Sequence, residues 1–509
     1  MRASSRARRA AATLSRWLLL VAATLVLPGA IPITGGPVRA PIIDAAVAER
    51  MVPGRALPVI LVARDDLAQL EGDLQRVGVS SGVPTPFMHG VAVSLPTALI
   101  SYMARDRNVA RIAYDAPVRL ADSSFDSDWL ATVYASAVHA ASGSIDPRLT
   151  GRGIGVAVID SGIASHADVD SRVIASVNFN PNVTGTGDAF GHGTAVASII
   201  AGNGAAGNGR YIGIAPGANL INLRVNDGSG AAPTSAIINA IVWAVANKER
   251  YNIRVMNLSL LSSVAESYHT SPIDAVVEYA WLHGIVVVVA AGNLGPQTAL
   301  YAPANDPYVI TVGATDDHGT STITDDTLAR FSSYGPTQDG YAKPDLVAPG
   351  LHLVTALASG SDFALNHLDH LIGTGYIQLS GTSVASPIVA GVATLYLQWH
   401  GDVRPGELKA LLLATAQRLP FAGSGAGYPD VVRALAQDEP EGNADRGLQP
   451  NNYLQLMYLH AKGLASLAQV SWDSVSWDSV SWDSVSWNSV SWSSVSWSSV
   501  SWDAVSWSN

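Results

Sequence analysis

Apolar and polar stretches follow one another along most of this chain, with spacings that alternate between strand and helix. Between residues 129 and 437 the strand-like apolar runs are 154–159, 253–258 and 285–291, each followed by Asp, Ser or Gly. The helix-like stretches are 195–201, 235–248 and 273–283. Mostly apolar runs of this length suit strands that are covered on both faces. The pattern predicts an α/β fold with a doubly wound, mostly parallel sheet, helices on both faces and a site at the carboxyl ends of the strands.

Residues 41–118 precede this domain, and their pattern of apolar and polar positions predicts a smaller unit. Its strand-like runs are 58–63, 90–95 and 108–114, and its helix-like runs are 66–77 and 96–103. The order β-α-β-α-β predicts a small α+β unit with helices on one face of an open sheet and 108–114 as an edge strand. The largely polar stretch from Asp115 to Asp128 predicts an exposed connection, which we place at residues 119–128.

The composition narrows the function classes. Of the 509 residues, 48% are hydrophobic and 14% are charged, which suits buried cores rather than a disordered chain. The net charge of −11 argues against nucleic acid as a partner, because phosphate binding needs a basic face. The absence of cysteine excludes a cysteine nucleophile, thiolate zinc sites and disulfide bonds.

The first 40 residues read as an export signal. Arg2, Arg6, Arg8 and Arg9 precede an apolar run at 17–27, which is shorter than the roughly 20 apolar residues of a membrane span. Small residues follow, with candidate cleavage positions near Ala30 and Ala40. We therefore expect a secreted protein without stable membrane insertion. The alternative is a retained membrane anchor.

Three glycine-flanked segments carry candidate chemistry. Asp160 ends a strand-like run, His192 opens a helical run, and Ser383 begins a helix that is rich in small residues. A serine hydroxyl needs a histidine base to attack a carbonyl, and a buried carboxylate holds that base in the correct tautomer. The Asn293 amide and the Ser383 backbone N–H could stabilise the oxyanion that forms. Residues 381–386 do not form the Gly-x-Ser-x-Gly turn of esterases, which disfavours that class.

Together these segments closely resemble the subtilase family of serine proteases, across roughly 300 residues. Further matches are Phe331-Ser332-Ser333-Tyr334-Gly335-Pro336, Lys343-Pro344-Asp345-Leu346-Val347-Ala348-Pro349-Gly350 and Val312-Gly313-Ala314. The resemblance implies a subtilisin-like catalytic domain at 129–437 that cuts proteins or peptides without a catalytic cofactor. It implies Asp160 as the residue that orients the base, His192 as general base and acid, Ser383 as nucleophile and Asn293 as oxyanion donor.

The first unit resembles the propeptide inhibitor domain of subtilases. The resemblance rests mainly on Gly90-Val91-Ala92-Val93-Ser94-Leu95-Pro96 and Asn108-Val109-Ala110-Arg111-Ile112. It implies a ferredoxin-like folding aid at 41–118 that occupies the active-site cleft until it is removed. The chain's own propeptide is therefore expected as its first inhibitor.

By the same resemblance, residues 257–260 and 225–230 line the substrate cleft. The substrate-binding residues that this implies are Ser259, Leu260, Gly228 and Gly292. Leu261 departs from the family pattern, because a glycine usually follows Ser-Leu there, and the change is expected to narrow or reshape the pocket. Ala195 and Ile388 also stand where the family often has histidine, which alters local packing and leaves the three catalytic residues in place.

Structural calcium is common in the family, and Asp168 is the candidate carboxylate for it. The loop from Asn203 to Arg210 could supply carbonyl oxygens. The competing interpretation is plain surface acidity.

The C-terminal segment has a different character. Residues 438–469 predict a linker, and residues 470–509 repeat Ser-Trp-Asp-Ser-Val with some variation. A five-residue period matches neither a helix stripe nor a single strand face. The repeat is either an extended ribbon that contacts carbohydrate or a cell surface, or a low-complexity extension.

The sequence thus predicts a secreted serine endopeptidase that works through an acyl-enzyme and processes itself. The alternative is a surface-attachment protein whose protease domain serves only self-maturation.

Overall fold

The computed structural model describes residues 42–64, 66–79, 82–120, 149–320, 323–437 and 441–461. Its helices are α1 (Ala45–Arg50), α2 (Leu67–Arg76), α3 (Thr97–Met103), α4 (His192–Ala201), α5 (Thr234–Ala246), α6 (Lys248–Tyr251), α7 (Pro272–Leu282), α8 (Asp362–Asn366), α9 (Thr382–His400), α10 (Pro405–Thr415), α11 (Val431–Leu435) and α12 (Asn452–Ala461). Its strands are β1 (Ile42–Ile43), β2 (Ala56–Ala63), β3 (Val83–Thr85), β4 (Gly90–Pro96), β5 (Val109–Tyr114), β6 (Pro117–Leu120), β7 (Gly155–Asp160), β8 (Val173–Asn178), β9 (Asn219–Arg224), β10 (Ala231–Pro233), β11 (Ile253–Leu258), β12 (Leu260–Ser262), β13 (Val286–Ala290), β14 (Ile310–Asp316), β15 (Thr327–Leu328), β16 (Gly335–Pro336), β17 (Ala342–Lys343), β18 (Leu346–Pro349), β19 (Leu353–Ala356), β20 (Leu371–Ile372) and β21 (Tyr376–Leu379).

The central sheet has the strand order β15-β14-β13-β11-β7-β9-β8, and β18 also pairs with β14. Every pairing in it is parallel except that of β14 with the short β15. Strands β7 and β13 are buried throughout, and β11 is buried except at Arg254, as expected from runs that are mostly apolar on both faces. The predicted α/β fold with a mostly parallel sheet is confirmed, and the predicted strands and helices correspond to β7, β11, β13, α4, α5 and α7.

The first unit is a five-stranded sheet of order β1-β5-β2-β4-β3. The predicted strand and helix order is confirmed, but the prediction of β5 as an edge strand is wrong. Hydrogen bonds join β5 to β2 on one side and to the two-residue β1 on the other. A strand of two residues has no periodicity from which it could have been predicted.

The two faces of this first sheet bury different partners. Val59 and Leu61 of β2 pack in a small core with Leu70 of α2 and Ile100 of α3. Their neighbour Ile60 belongs instead to the large core of the second domain. Side chains alternate between the two faces of a strand, so the sheet holds its own helices on one side and the second domain on the other.

Strand β6 joins the two domains. It lies between β10 and β12 in a separate three-stranded sheet and is antiparallel to both. It therefore crosses the boundary at residues 118 and 119 that the sequence predicts between propeptide and connection.

The described part of the expected linker, residues 441–461, is packed rather than extended. Asn451 is fully buried, and its side-chain amide donates a 2.9 Å hydrogen bond to the Ser271 carbonyl oxygen. Leu454 of α12 is also fully buried. These contacts make residues 441–461 part of the folded body. The expected export signal at 1–40, most of the expected connection at 119–128 and the repeat at 470–509 lie outside the described residues.

Within the described ranges, every helix falls short of the length or apolar character that crossing a bilayer requires.

Candidate active site

Asp160 and His192 form the centre of the site. Asp160 is the last residue of β7, and His192 is the first residue of α4. The Nδ1 atom of His192 lies 2.8 Å from Oδ1 of Asp160, and both side chains are buried. Because a carboxylate accepts, the shared proton belongs on Nδ1, and Nε2 is then the basic nitrogen.

Asp188 positions the start of α4 and was not predicted from the sequence. Its carboxylate accepts 2.7 Å hydrogen bonds from the Gly191 N–H and the Thr194 hydroxyl, and a 2.8 Å bond from the Thr194 N–H. It also accepts from the Ser161 hydroxyl, whose oxygen in turn accepts from the Gly193 N–H. Burial raises the pKa of the Asp188 carboxyl, and these donors oppose that rise. The one signal in the sequence is its place four residues before His192.

Ser383 is the second residue of α9, a helix of 19 residues. The hydroxyl of Ser259 donates a 2.8 Å hydrogen bond to the Ser383 carbonyl oxygen and lies 3.1 Å from the Ser386 hydroxyl. These bonds join the end of β11 to the start of the helix. The Ser383 Oγ atom is buried and makes no hydrogen bond with any described residue. An unbonded nucleophile is common before a substrate is in place, because such bonds tighten in the reacting complex.

Asn293 follows β13, and Thr382 holds the oxygen of its side-chain amide. Its Oδ1 atom accepts 2.9 Å hydrogen bonds from both the N–H and the hydroxyl of Thr382. The Thr382 hydroxyl oxygen also accepts from the Gly292 N–H at 3.0 Å. These bonds fix the amide plane beside the Ser383 helix. The Ser383 N–H belongs to the first turn of α9, where no helical carbonyl is available to it. The arrangement can present two N–H donors to a developing oxyanion.

Strand β6 pairs with β10 and β12, which lie at the ends of the two segments predicted to line the substrate cleft. Its register places Leu120 opposite Leu260, and Arg119 opposite both Leu261 and Ala231. Because β6 is antiparallel to β12, the chain runs toward Ser259 and so toward the Ser383 helix. Gly228 lies in the turn before β10, where its N–H donates to Asn226 Oδ1 at 2.6 Å. Gly292 lies against the Leu261 side chain.

The geometry argues against calcium at Asp168. Its Oδ1 atom accepts from the Ala206 N–H at 2.7 Å, and its Oδ2 atom accepts from the Tyr376 hydroxyl at 2.8 Å. The 203–210 loop thus offers an N–H to this carboxylate, whereas calcium binding needs carbonyl oxygens. Among the described residues no group of three His, Asp or Glu side chains could hold a metal ion.

Ala195 and Ile388, where the family often has histidine, are both buried in the large core. Neither position leaves a polar gap.

Two carboxylates, one buried and one half-buried, lie where the first unit contacts the second. Asp115 accepts from the N–H and the hydroxyl of Ser235 at the start of α5, at 3.1 and 3.3 Å. It thereby caps a helix that has no side-chain cap of its own. Burial raises the pKa of Asp115 to about 6, against the effect of those hydrogen bonds.

The second carboxylate is Glu266, which lies near Asp44 and Arg111 of the first unit. Arg111 donates from Nε to Asp44 at 2.8 Å and from Nη2 to the Thr270 carbonyl at 3.1 Å, and its guanidinium stacks over the Tyr453 ring. Burial and the negative charge of Asp44 raise the pKa of Glu266 to about 7, while Arg111 opposes the rise.

The chain is similar to known serine proteases. A model described as the subtilase family matches residues 151–446. Serine protease AprX of Bacillus subtilis (strain 168) is 37% identical over 324 residues, which cover 62% of this chain and 71% of AprX. The extracellular serine proteinase of Thermus sp. (strain Rt41A) is 29% identical over 439 residues, which cover 82% of this chain and 97% of that protein.

One solved structure shows the same fold. It is fervidolysin from Fervidobacterium pennivorans, described as a keratinolytic enzyme related to subtilisin. The match has a TM-score of 0.60 at 22% identity and covers 79% of this chain and 63% of fervidolysin.

Proposed function

The chain belongs to the subtilase family and is a subtilisin-like serine endopeptidase, and we propose that it is a secreted enzyme that first cuts off its own propeptide and then cleaves other proteins. In this proposal Asp160, His192 and Ser383 are the catalytic residues. The 2.8 Å contact between Asp160 and His192 supports the first two roles.

The reaction proceeds through an acyl-enzyme. Ser383 Oγ attacks the scissile carbonyl carbon while His192 Nε2 takes the hydroxyl proton, and Asp160 stabilises the imidazolium. Asn293 and the Ser383 N–H stabilise the oxyanion. His192 then gives its proton to the leaving amine as the C–N bond breaks, and water hydrolyses the resulting ester by the same steps.

The position of β6 carries the proposal of self-processing. A peptide substrate adds a strand to the edges beside such a cleft, and β6 is a strand of that kind from the same chain. It pairs with β10 and β12 and runs toward Ser383. In this proposal the first unit acts as an inhibitor that blocks the cleft, and the bond to be cut follows β6.

Mass spectrometry of the expressed protein tests this proposal. The native chain is expected to lose its N-terminal unit by a cut on the carboxyl side of β6, whereas Ser383→Ala is expected to keep it. A matched control is Ser263→Ala, which removes a hydroxyl from an exposed residue. Removal of the unit from both the native and the Ser383→Ala chains would show that another protease does the processing.

Secretion is the second part of the proposal. It rests on the basic and apolar composition of residues 1–27 and on the extracellular location named for the Thermus relative. The Ser383→Ala chain, which cannot process itself, is expected in the culture medium with its N-terminus near Ala30 or Ala40. Retention of residues 1–40 on a membrane-bound chain would support the anchor alternative.

A further inference from the structure

The side chain of Leu261 occupies space beside the turn that carries Asn293. A methyl group built on Gly292 would lie 2.9 Å from Leu261 Cδ2 and 3.5 Å from Cδ1. The first distance is well inside the roughly 3.5–4.0 Å at which two carbons attract. Leu261 is 9% exposed, so its methyl groups fill the gap between β12 and Gly292.

Hydrogen bonds hold the backbone on both sides of this gap. The residue after Leu261, Ser262, donates a 2.7 Å hydrogen bond from its N–H to the Ala302 carbonyl oxygen. Behind Gly292, the Ser333 N–H donates to the Gly292 carbonyl oxygen at 2.9 Å. The Ser333 hydroxyl accepts from the Leu294 N–H at 3.1 Å. Both walls of the gap are therefore fixed by backbone hydrogen bonds.

The gap lies where one particular substrate side chain must go. The Asn293 amide has to come within about 3 Å of the oxyanion, so the residue that owns the attacked carbonyl lies beside Gly292. The alternation of side chains along a strand independently places the same substrate residue on the Leu261 side. The residue of a substrate strand opposite Leu261 shares its face, and so does the residue two positions further toward the carboxyl end.

We propose that Leu261 is a specificity-determining residue, which limits the substrate residue on the carbonyl side of the cleaved bond to glycine, alanine or serine. This inference rests on the proposed peptidase function and names its substrate class. A leucine at this position excludes larger side chains because the hydrocarbon of the enzyme already fills the space that they need.

The sequence of the chain agrees with this restriction. Arg119 is the residue opposite Leu261, and two positions further along is Ala121, whose side chain is a single methyl group. The inference therefore places self-cleavage between Ala121 and Asp122, which lie outside the described residues.

The test uses the matured full-length protein and peptides Val-Arg-Leu-X-p-nitroanilide, with X as Gly, Ala, Ser, Leu or Phe. For native protein we expect kcat/KM with Ala to exceed that with Phe by at least about 100-fold, the order that a mismatched apolar pocket can give. Leu261→Gly is expected to raise kcat/KM with Phe and Leu by about tenfold or more, mainly by lowering KM. Leu261→Ile keeps the volume and is expected to keep the preference.

Four outcomes overturn the inference. Native protein that cuts after Phe as fast as after Ala contradicts it while leaving the peptidase function intact. A Leu261→Gly protein that matures, loses thermal stability and keeps the native preference shows that Leu261 is merely a core residue. Native protein that cleaves none of the peptides and fails to process itself overturns the proposed function and this inference with it. In the fourth outcome, native protein has a mature N-terminus other than Asp122. This contradicts the register of β6 against β12 on which the inference rests.

Discussion

The imidazole of His192 is bonded through Nδ1 to Oδ1 of Asp160 at 2.8 Å, and neither side chain is more than 1% exposed. In a buried pair the carboxylate decides which ring nitrogen carries the proton. The basicity of Nε2, and with it the reactivity of Ser383, depends on that choice.

Asp160→Asn is therefore expected to slow self-cleavage by about 10⁴-fold, because an amide can hold the ring in the wrong tautomer. The rate of appearance of the cleaved fragment in the full chain measures this. Asp402→Asn changes a fully exposed carboxylate and should leave the rate unchanged. A loss of less than tenfold in the Asp160 variant would argue that another residue orients the base.

Asn293→Ala is expected to lower kcat by about 10²–10³-fold, a range that comes from removal of an oxyanion donor in subtilisin itself. The substitution also removes the acceptor for two Thr382 donors. Thr382→Val helps to separate the effects, because it keeps the Asn293 amide while it loses one of those bonds and the acceptor for the Gly292 N–H. We expect Thr382→Val to lose about tenfold or less, and equal losses in both variants would assign Asn293 a structural role.

Asp188→Ala is expected to lower both stability and activity. It leaves several buried donors of the His192 loop without an acceptor, and each such group costs about 1–3 kcal/mol. Urea unfolding of the Ser383→Ala chain measures the stability, since self-digestion is then absent. Glu249→Gln, which alters a 93% exposed carboxylate, serves as the control. Unchanged urea unfolding in the Asp188 variant would contradict the positioning role.

The first unit, our proposed propeptide, is expected to bind less tightly after cleavage as pH rises from about 4.5 to 7. The pKa of Glu266 is raised to about 7 in the docked state, and detachment removes Asp44 and admits water, which returns the pKa to its ordinary value of 4.5. The docked state thus holds more protons within that window, so docking is strongest below it and weakens through it. Asp115, with a pKa of about 6, acts in the same direction.

Gel filtration of the self-cleaved protein at pH 5 and pH 8 measures this effect as the fraction of propeptide that co-elutes. Glu266→Gln is expected to reduce the difference between the two pH values. Glu249→Gln changes a 93% exposed carboxylate and should not. Equal retention at both pH values in native protein would contradict the prediction.

Local sequence patterns were sufficient to predict the strand and the helices that carry the candidate catalytic residues. Asp160 follows an apolar run that any parallel sheet would bury, and His192 and Ser383 open helices whose small residues are visible in the sequence. The approach of Asp160 to His192 could be expected from the rule that strand ends meet at one edge of a sheet.

Features that depend on distant partners could not be predicted in this way. Strand β6 has four residues, and it is a strand because β10 and β12, more than 100 residues away, offer it two free edges. Asp188 stands in a polar loop, where an isolated aspartate is typical of a surface turn. Its role depends on four donors that converge on it after folding.

The first sheet buries a different core on each of its two faces, and this has a consequence for the maturation of the enzyme if the first unit is the proposed propeptide. Ile60, Val62 and Ala92 belong to the hydrophobic core of the catalytic domain and would meet water as soon as the fragment leaves. A detached fragment with a wetted hydrocarbon face loses much of what keeps it folded, and an unfolding chain beside an active peptidase is soon digested. Maturation of this protein would then run in one direction, because the inhibitor is destroyed after its release.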